Sequence, residues 1–151
     1  MTSDKLRPRV GVGVVVFKNN RVLLGRRKGS HGAGAWSFPG GHLEFREDVE
    51  ECARRELAEE TGLKALSLSL GPWVNDIIER DKHYITLFVF VHEFEGNPQL
   101  LEPHKCEGWS WFEWNVLPTP LFPPVESLIK KMGFEKLIWI GCKEKFLHVD
   151  V

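Results

Sequence analysis

The chain has 151 residues and a mass of 17.4 kDa, the size of one ordinary domain. With 42% hydrophobic and 27% charged residues it can bury a core without disulfide or metal staples, and intrinsic disorder is excluded. Lys and Arg number 20 against 21 Asp and Glu, a net charge of -1, so no global field draws the protein to nucleic acid or anionic lipid; any basic contact must be local.

Met1 to Arg9 has no apolar stretch to serve as a signal peptide. The longest apolar runs, Val14 to Phe17 and Leu87 to Val91, fall far short of the ~18 residues that span a bilayer. A soluble, cytoplasmic protein without a membrane partner is expected. Arg9 to Phe17 is a β-branched run, Lys18-Asn19-Asn20-Arg21 a polar turn, and Val22-Leu23-Leu24 resumes the apolar pattern, which predicts a β-hairpin. From Arg26 to Gly41, the basic residues Arg26, Arg27 and Lys28 and His31 lie among glycines 29, 32, 34, 40 and 41, the composition of a mobile loop rather than a linker. A helix is predicted from about Glu47 to Thr61, closed by Gly62.

Leu66, Leu68 and Leu70 then alternate with serines, and Tyr84 to Phe94 is mostly apolar, so at least two more strands follow. Trp109, Trp111, Phe112 and Trp114 suggest another strand. Pro118, Pro120, Pro123 and Pro124 force an irregular stretch before a short helix near Val125 to Met132. Without a repeat or a low-complexity segment, one domain over residues 1–151 is expected. Cys52, Cys106 and Cys142 are odd in number and form no C-x-x-C, which fits a reducing cytosol better than a disulfide framework or a zinc site.

The predicted helix carries the chemistry. At ~100° per residue, Glu56 and Glu60 fall within ~20° of Val49, in the middle of the apolar stripe with Ala53 and Leu57, and Glu59 lies on its edge. Like charges at i, i+4 repel, and burying unpaired carboxylates costs many kcal/mol, so these groups need a counter-charge or a proton. A hard divalent cation meets the need. Magnesium takes carboxylate oxygens, keeps waters and is usually completed by substrate phosphates, which points to phosphate chemistry.

Gly41, five residues, Glu47, seven residues, then Arg55-Glu56-Leu57-Ala58-Glu59-Glu60-Thr61-Gly62-Leu63 reproduces the complete Nudix box, and the chain resembles the Nudix hydrolases. That resemblance implies an α/β fold, an α/β/α sandwich on a mixed sheet, and magnesium-dependent (Mg2+) hydrolysis of a nucleoside diphosphate linked to another group, with manganese (Mn2+) able to substitute. It also implies that Glu56, Glu59 and Glu60 bind metal with the Gly40 carbonyl, and that Glu47 and Arg55 form the ion pair that orients them. Over roughly residues 9–130 the likeness extends to MutT-type nucleoside triphosphate pyrophosphatases, nearest the eukaryotic branch acting on dGTP, oxidised dGTP and thioguanine nucleotides and a plant branch close to it. The stretches Val22 to Arg27, Phe38 to Phe45, Glu51-Cys52-Ala53, His83-Tyr84 and Glu102 to Trp109 carry it. Arg46 stands where those relatives have glycine, Pro123 where they often have tryptophan, and residues 134–151 match nothing in them.

Arg26, Arg27 and Lys28 at a strand end suit a triphosphate, and the resemblance favours Arg27 as the contact. Gly41 and His42 adjoin the metal loop. Glu107 occupies a loop where many relatives place an acidic residue, as a ligand or base; whether it or Glu59 helps deprotonate the water stays open. Phe38, Thr86, Trp109 and Phe122 are candidate walls for a purine, and His83 and Tyr84 join the pocket by resemblance. The expected reaction gives nucleoside monophosphate and pyrophosphate from a (deoxy)nucleoside triphosphate with a guanine or oxidised purine. The same chemistry on a prenyl diphosphate or pterin triphosphate, and a nucleotide-binding module without turnover, are the rival readings. The resemblance also implies a homodimer.

Overall fold

A computed structural model describes residues 6–29 and 31–149, with side-chain surroundings through Cys142; residues 1–5 of the N-terminal reading and 150–151 of the tail lie outside it. The predicted hairpin is β1 (Arg9–Lys18) and β2 (Arg21–Arg27). Asn19 and Asn20 turn it at φ 48 and 67, backbone angles that match the twist of the flanking strands and that asparagine tolerates.

The expected mobile loop contains two short strands, β3 (Trp36–Ser37) and β4 (Gly40–His42). They form because β3 pairs with β2, Ser37 opposite Gly25, and β4 finds the free edge of β1, with Gly13 opposite Gly40; any side chain at Gly40 would run into the Val12 carbonyl. β5 (Lys64–Glu79) and β6 (Lys82–Glu95) are longer than the apolar runs that announced them, and β7 is Cys106–Glu113. The sheet runs β3-β2-β1-β6-β5, with β4 also on β1 and β7 also on β2. Parallel pairing of β1 with β6 among antiparallel neighbours makes it mixed.

α1 (Val49–Thr61) starts two residues later than expected, because the Asp48 side chain caps it and pairs reciprocally with Glu51, which leaves Glu47 in the preceding loop. α2 (Pro123–Met132) starts two residues earlier than expected, since proline is at ease in a first helical turn. The tail is α3 (Phe134–Val149). Its apolar run Leu137-Ile138-Trp139-Ile140 blurs the helical period. Arg46 sits at φ 69, a conformation that disfavours a Cβ and suits the glycine that the resemblance implies there.

α1 covers one face of the sheet, burying Val12, Val14, Val16, Leu23, Val89 and Val91 against Cys52, Ala53 and Leu57. On the other face Val15, Phe17, Phe88, Phe90 and Trp114 pack with Val125 and Leu128 of α2 and Leu137 of α3. The architecture is thus the expected α/β/α arrangement. α3 lies so close to the hairpin that a Cβ on Gly141 would be 2.7 Å from the Phe17 ring, and Cys142 Sγ donates to Asn20 Oδ1 at 2.6 Å. All three cysteines are free thiols. Leu137 is wholly buried, so Leu137→Ala is expected to cost ~2–5 kcal/mol of stability. Urea unfolding checks this, and a change below ~1 kcal/mol would mean that α3 does not contribute to the core.

Candidate active site

Between β1, β4, α1 and the start of α2 lies a cavity of about 770 Å³. Its floor is β1 at Gly11 and Gly13, flanked by Tyr84, Thr86 and Phe88 of β6. Of the residues the sequence singled out, Arg27, Phe38, Gly40, Gly41, His42, Glu56, Glu60, Thr86, Trp109 and Phe122 all line it.

The acidic wall comes from α1. The Glu60 carboxyl is mostly buried and lies against that of Glu56, and burial first, then this contact, push its pKa up to about 9. The Gly40 N–H donates to Glu60 Oε2 at 3.0 Å. The other side of Glu56 is held by Arg55 Nη1 at 2.8 Å, and Arg55 in turn meets Glu47 through Nε at 2.6 Å and Nη2 at 3.0 Å. This bidentate contact keeps Glu47 near pKa 2 and raises that of Arg55. Cys52 packs beneath, its thiol pushed up to about 12 by burial. A Cβ at Gly41 would overlap the Glu56 carboxylate, so glycine there leaves that carboxylate its place beside Arg55.

Glu59 lies one helical turn beyond Arg55, half exposed, with Oε2 3.3 Å from Arg55 Nη1. Among the described residues no three His, Cys, Asp or Glu side chains converge into a closed metal cage. The Glu56–Glu60 pair nevertheless fits a hard divalent ion. Its donors are all oxygen, a cation would take the place of the proton the buried pair holds, and magnesium needs only one or two protein carboxylates when waters and phosphates complete its shell.

The opposite wall is cationic and aromatic. Arg27 Nε donates to the His31 carbonyl at 2.9 Å, and the guanidinium lies 4.1 Å from the Phe122 ring centre. Burial lowers the Arg27 pKa. Trp109 is seated on Gly25, where a Cβ would come 2.6 Å from its ring, and its indole N–H donates to the Glu60 carbonyl at 3.3 Å. Phe38 and Phe88 meet edge to face at 5.8 Å. Tyr84 stacks between His42 and His31, with its hydroxyl 3.1 Å from His42 Nε2. Desolvation lowers the pKa of both histidines.

Three of the metal and substrate candidates do not line the cavity: Glu107, His83 and Glu59, the last held at the surface by Arg55. Glu107 turns away to Arg26, 3.5 Å off, and His83 points out to Asn75 Oδ1. Glycine at 108, at φ 149, separates Glu107 from the wall formed by Cys106 and Trp109. The acidic residue that does line the cavity from this loop is Glu102, 3.6 Å from Lys105. Glu102, Lys105 and His31 went unselected because charged loop residues carry no spacing signal. Gly11 and Gly13 did carry one, as interruptions of a β-branched run on a single strand face.

A family model of the NUDIX domain matches residues 7–132. The chain belongs to the Nudix family. It is a Nudix pyrophosphohydrolase, and Nudix hydrolases generally use a divalent metal and bind small nucleotide substrates. The oxidized purine nucleoside triphosphate hydrolase of Danio rerio is 50% identical over 140 residues, covering 89% of this chain and 80% of that protein. The ADP-ribose pyrophosphatase of Methanocaldococcus jannaschii is 35% identical over 127 residues, 83% of this chain and 73% of the relative. In three dimensions the chain is similar to the MutT NUDIX hydrolase from Burkholderia pseudomallei, with a TM-score of 0.77 at 33% identity, over 86% of this chain and 98% of that one. No described helix is long and apolar enough to cross a membrane.

The raised Glu60 pKa has a consequence for the metal-free protein. The folded state holds the proton that the unfolded state releases at an ordinary 4.5. That contribution is complete below pH 4.5, drains as the pH rises, and is gone past about 9. Glu60→Gln keeps the neutral form at every pH. Without metal it is expected to melt with the wild type near pH 4 and above it at pH 8, while its turnover with metal falls by ~100-fold or more. Thermal melts at the two pH values and one rate measurement check this; an active variant that melts lower at pH 8 would refute the pairing.

Proposed function

We propose that this Nudix pyrophosphohydrolase cleaves (deoxy)nucleoside triphosphates with guanine or an oxidised purine, releasing nucleoside monophosphate and pyrophosphate, and so clears damaged nucleotides from the cytoplasmic pool. The observation that carries this reading is one cavity with a buried acidic pair on one wall and, opposite it, a desolvated guanidinium and aromatic rings. The former suits a cation that bridges phosphates; the latter suits phosphate oxygens and a base.

In this reading Glu56, Glu60, Glu59 and the Gly40 carbonyl hold magnesium, with manganese able to substitute, and the bound ion supplies charge neutralisation of the polyphosphate and an acidified water. The chain's own residues do the rest. Arg55, fixed by Glu47, keeps the Glu56 carboxylate aimed at the cavity. Arg27 draws the phosphates in line, and Trp109, Phe38 and Phe122 exclude water from the group beyond them. Water attack at phosphorus breaks the P–O bond to the leaving pyrophosphate. Glu107 is tied to Arg26, so the task of accepting the water's proton goes to Glu59. The expected homodimer is assigned to the outer face of β5, where Leu70, Trp73 and Ile77 are 63%, 55% and 70% exposed.

A second reading, the same chemistry on a prenyl diphosphate, has one observation in its favour. Phe38, Phe88, Phe122, Ile78 and Pro124 line the cavity, and no Asn, Gln or Asp is among its lining residues. Release of pyrophosphate and orthophosphate should be measured across dGTP, 8-oxo-dGTP, ADP-ribose and geranyl diphosphate, with magnesium and with excess EDTA. The expected result is fastest turnover of a purine triphosphate, abolished by EDTA. Turnover in excess EDTA would refute the metal mechanism, and a preference for geranyl diphosphate would establish the second reading. Arg27→Ala is expected to raise KM for the triphosphate by ~10-fold or more with a smaller change in melting temperature, the loss of a charge-assisted contact to substrate. An unchanged KM would return Arg27 to a purely structural role.

A further inference from the structure

Beside the cavity lies a charged cluster that the proposed reaction does not use. β5 and β6 end with Glu79 opposite Lys82, and this tip reaches His31 in the loop after β2. Lys82 Nζ lies 3.2 Å from His31 Nδ1 and 3.5 Å from Glu79 Oε2, while Glu79 Oε1 is 3.9 Å from the same Nδ1. An ammonium and a carboxylate thus compete for one ring nitrogen. The ammonium has three donors and no acceptor, so with Lys82 as the nearer group Nδ1 has to accept. The ring is then neutral and its one proton sits on Nε2. With Glu79 as the partner instead, Nδ1 would carry a proton and the ring would be drawn toward the cation.

His31 is placed where that choice matters. It lines the cavity together with Arg27, and its carbonyl accepts from Arg27 Nε at 2.9 Å. Its ring stacks on Tyr84 at 6.1 Å and meets Phe122 edge-on at 5.5 Å. The turn is tight, because a Cβ at Gly32 would come 2.6 Å from the Phe122 ring. The charged and titratable groups that face the ring are Lys82 and Glu79 from the β5–β6 tip, Arg27 from β2, His42 from β4 and Tyr84 from β6; α2 meets it with Phe122. Burial first, then Lys82 and Arg27, lower the pKa of His31 against the pull of Glu79, in keeping with a neutral ring.

We propose that Lys82 is a positioning residue which, by donating to Nδ1, keeps His31 neutral with its proton on Nε2, so that the loop offers the triphosphate a hydrogen-bond donor of fixed charge beside Arg27. Arg27 supplies the charge and His31 the direction, and the share of His31 in holding the substrate stays constant through the usual titration range of histidine. Glu79 steadies the ammonium from its other side. The substrate part of this inference rests on the cavity binding nucleoside triphosphates; the protonation state of His31 does not.

The test follows the imidazole nitrogens of His31 by NMR from about pH 5 to 9 in wild type, Lys82→Met, Lys82→Arg and the double variant Lys82→Met, Glu79→Gln. KM and kcat for dGTP at about pH 6 and 8, and melting temperature, are read alongside. Wild type is expected to titrate below the usual 6.5, with Nε2 protonated in the neutral form. Lys82→Met should titrate higher, because Glu79 is left as the partner of Nδ1. Its KM relative to wild type should change by ~3-fold or more between the two pH values, with little effect on kcat. Lys82→Arg, also a donor without an acceptor, should keep the wild-type titration and a constant KM ratio. The double variant should titrate lower than Lys82→Met. A wild-type ring protonated on Nδ1, or one whose titration ignores Lys82→Met, overturns the inference and leaves the function standing. A constant KM ratio for Lys82→Met beside the expected titration overturns the substrate contact. A His31 that titrates as expected in a protein that hydrolyses no triphosphate overturns the proposed function and leaves Lys82 its hold on the ring.

Discussion

Two carboxyl groups pressed together on the docking face of α1 set the terms for the rest of the molecule. Glu56 and Glu60 cannot both be charged there without compensation, and the surroundings are arranged around that fact. Arg55 neutralises one of them from the solvent side and is itself pinned by Glu47. The strand facing them has glycine at 40, where β4 lies against β1 and delivers an N–H to Glu60, and at 41, where the missing side chain leaves the Glu56 carboxylate in place. Asp48 and Glu51 stop the helix from running back through Glu47, which must stay in the loop to reach Arg55. A protein optimised for stability alone would place leucine at 56 and 60. Carboxylates are retained at such a cost in the places where function uses them.

The cavity divides by charge. Its anionic wall belongs to a regular helix, whose residues are fixed by a capping box and helical backbone hydrogen bonds. Its cationic wall, with Arg27, Lys28, His31 and Lys105, belongs to strand ends and loops that contact one another. The backbone bonds from Lys28 N–H to the Lys105 carbonyl and from Arg27 N–H to the Ala35 carbonyl, at 2.9 and 2.8 Å, tie these loops together. Acids on a helix and bases on strand ends and loops suit a family in which the phosphate chemistry is constant and the attached group varies.

What the sequence made legible follows the range over which each signal acts. The hairpin, α1 and the acidic stripe within it are short-range patterns of turn residues and helical period, and they appear where the residues put them. The Nudix box identifies its own constellation of four carboxylates and one arginine because its spacing lies within one loop and one helix. Elsewhere, pairing decided matters that no local pattern records. β4 exists because a free edge of β1 accepted a glycine-rich segment and β3 because β2 did, and α3 is recognisable only once the Phe17 hairpin offers it a surface. Glu102 and Glu107 are nearly equivalent in sequence, yet the positive φ at Gly108 and the pull of Arg26 separate them, one inside the cavity and one out.

The long outer strand bears on how copies of this chain meet one another. β5 stands at the end of the sheet, and an edge of this length would ordinarily recruit further strands and seed aggregates. Pro72 offers no N–H, and the register shifts between Leu70 and Trp73 and again between Ile77 and Glu79, so the row of free backbone groups is broken at intervals. Lys131 reinforces the break by donating to the Trp73 carbonyl at 2.6 Å. Continuous ribbon growth is thereby blocked while the apolar side chains of the same strand remain available. Association on this side of the molecule would have to use the broad face of the sheet rather than its edge.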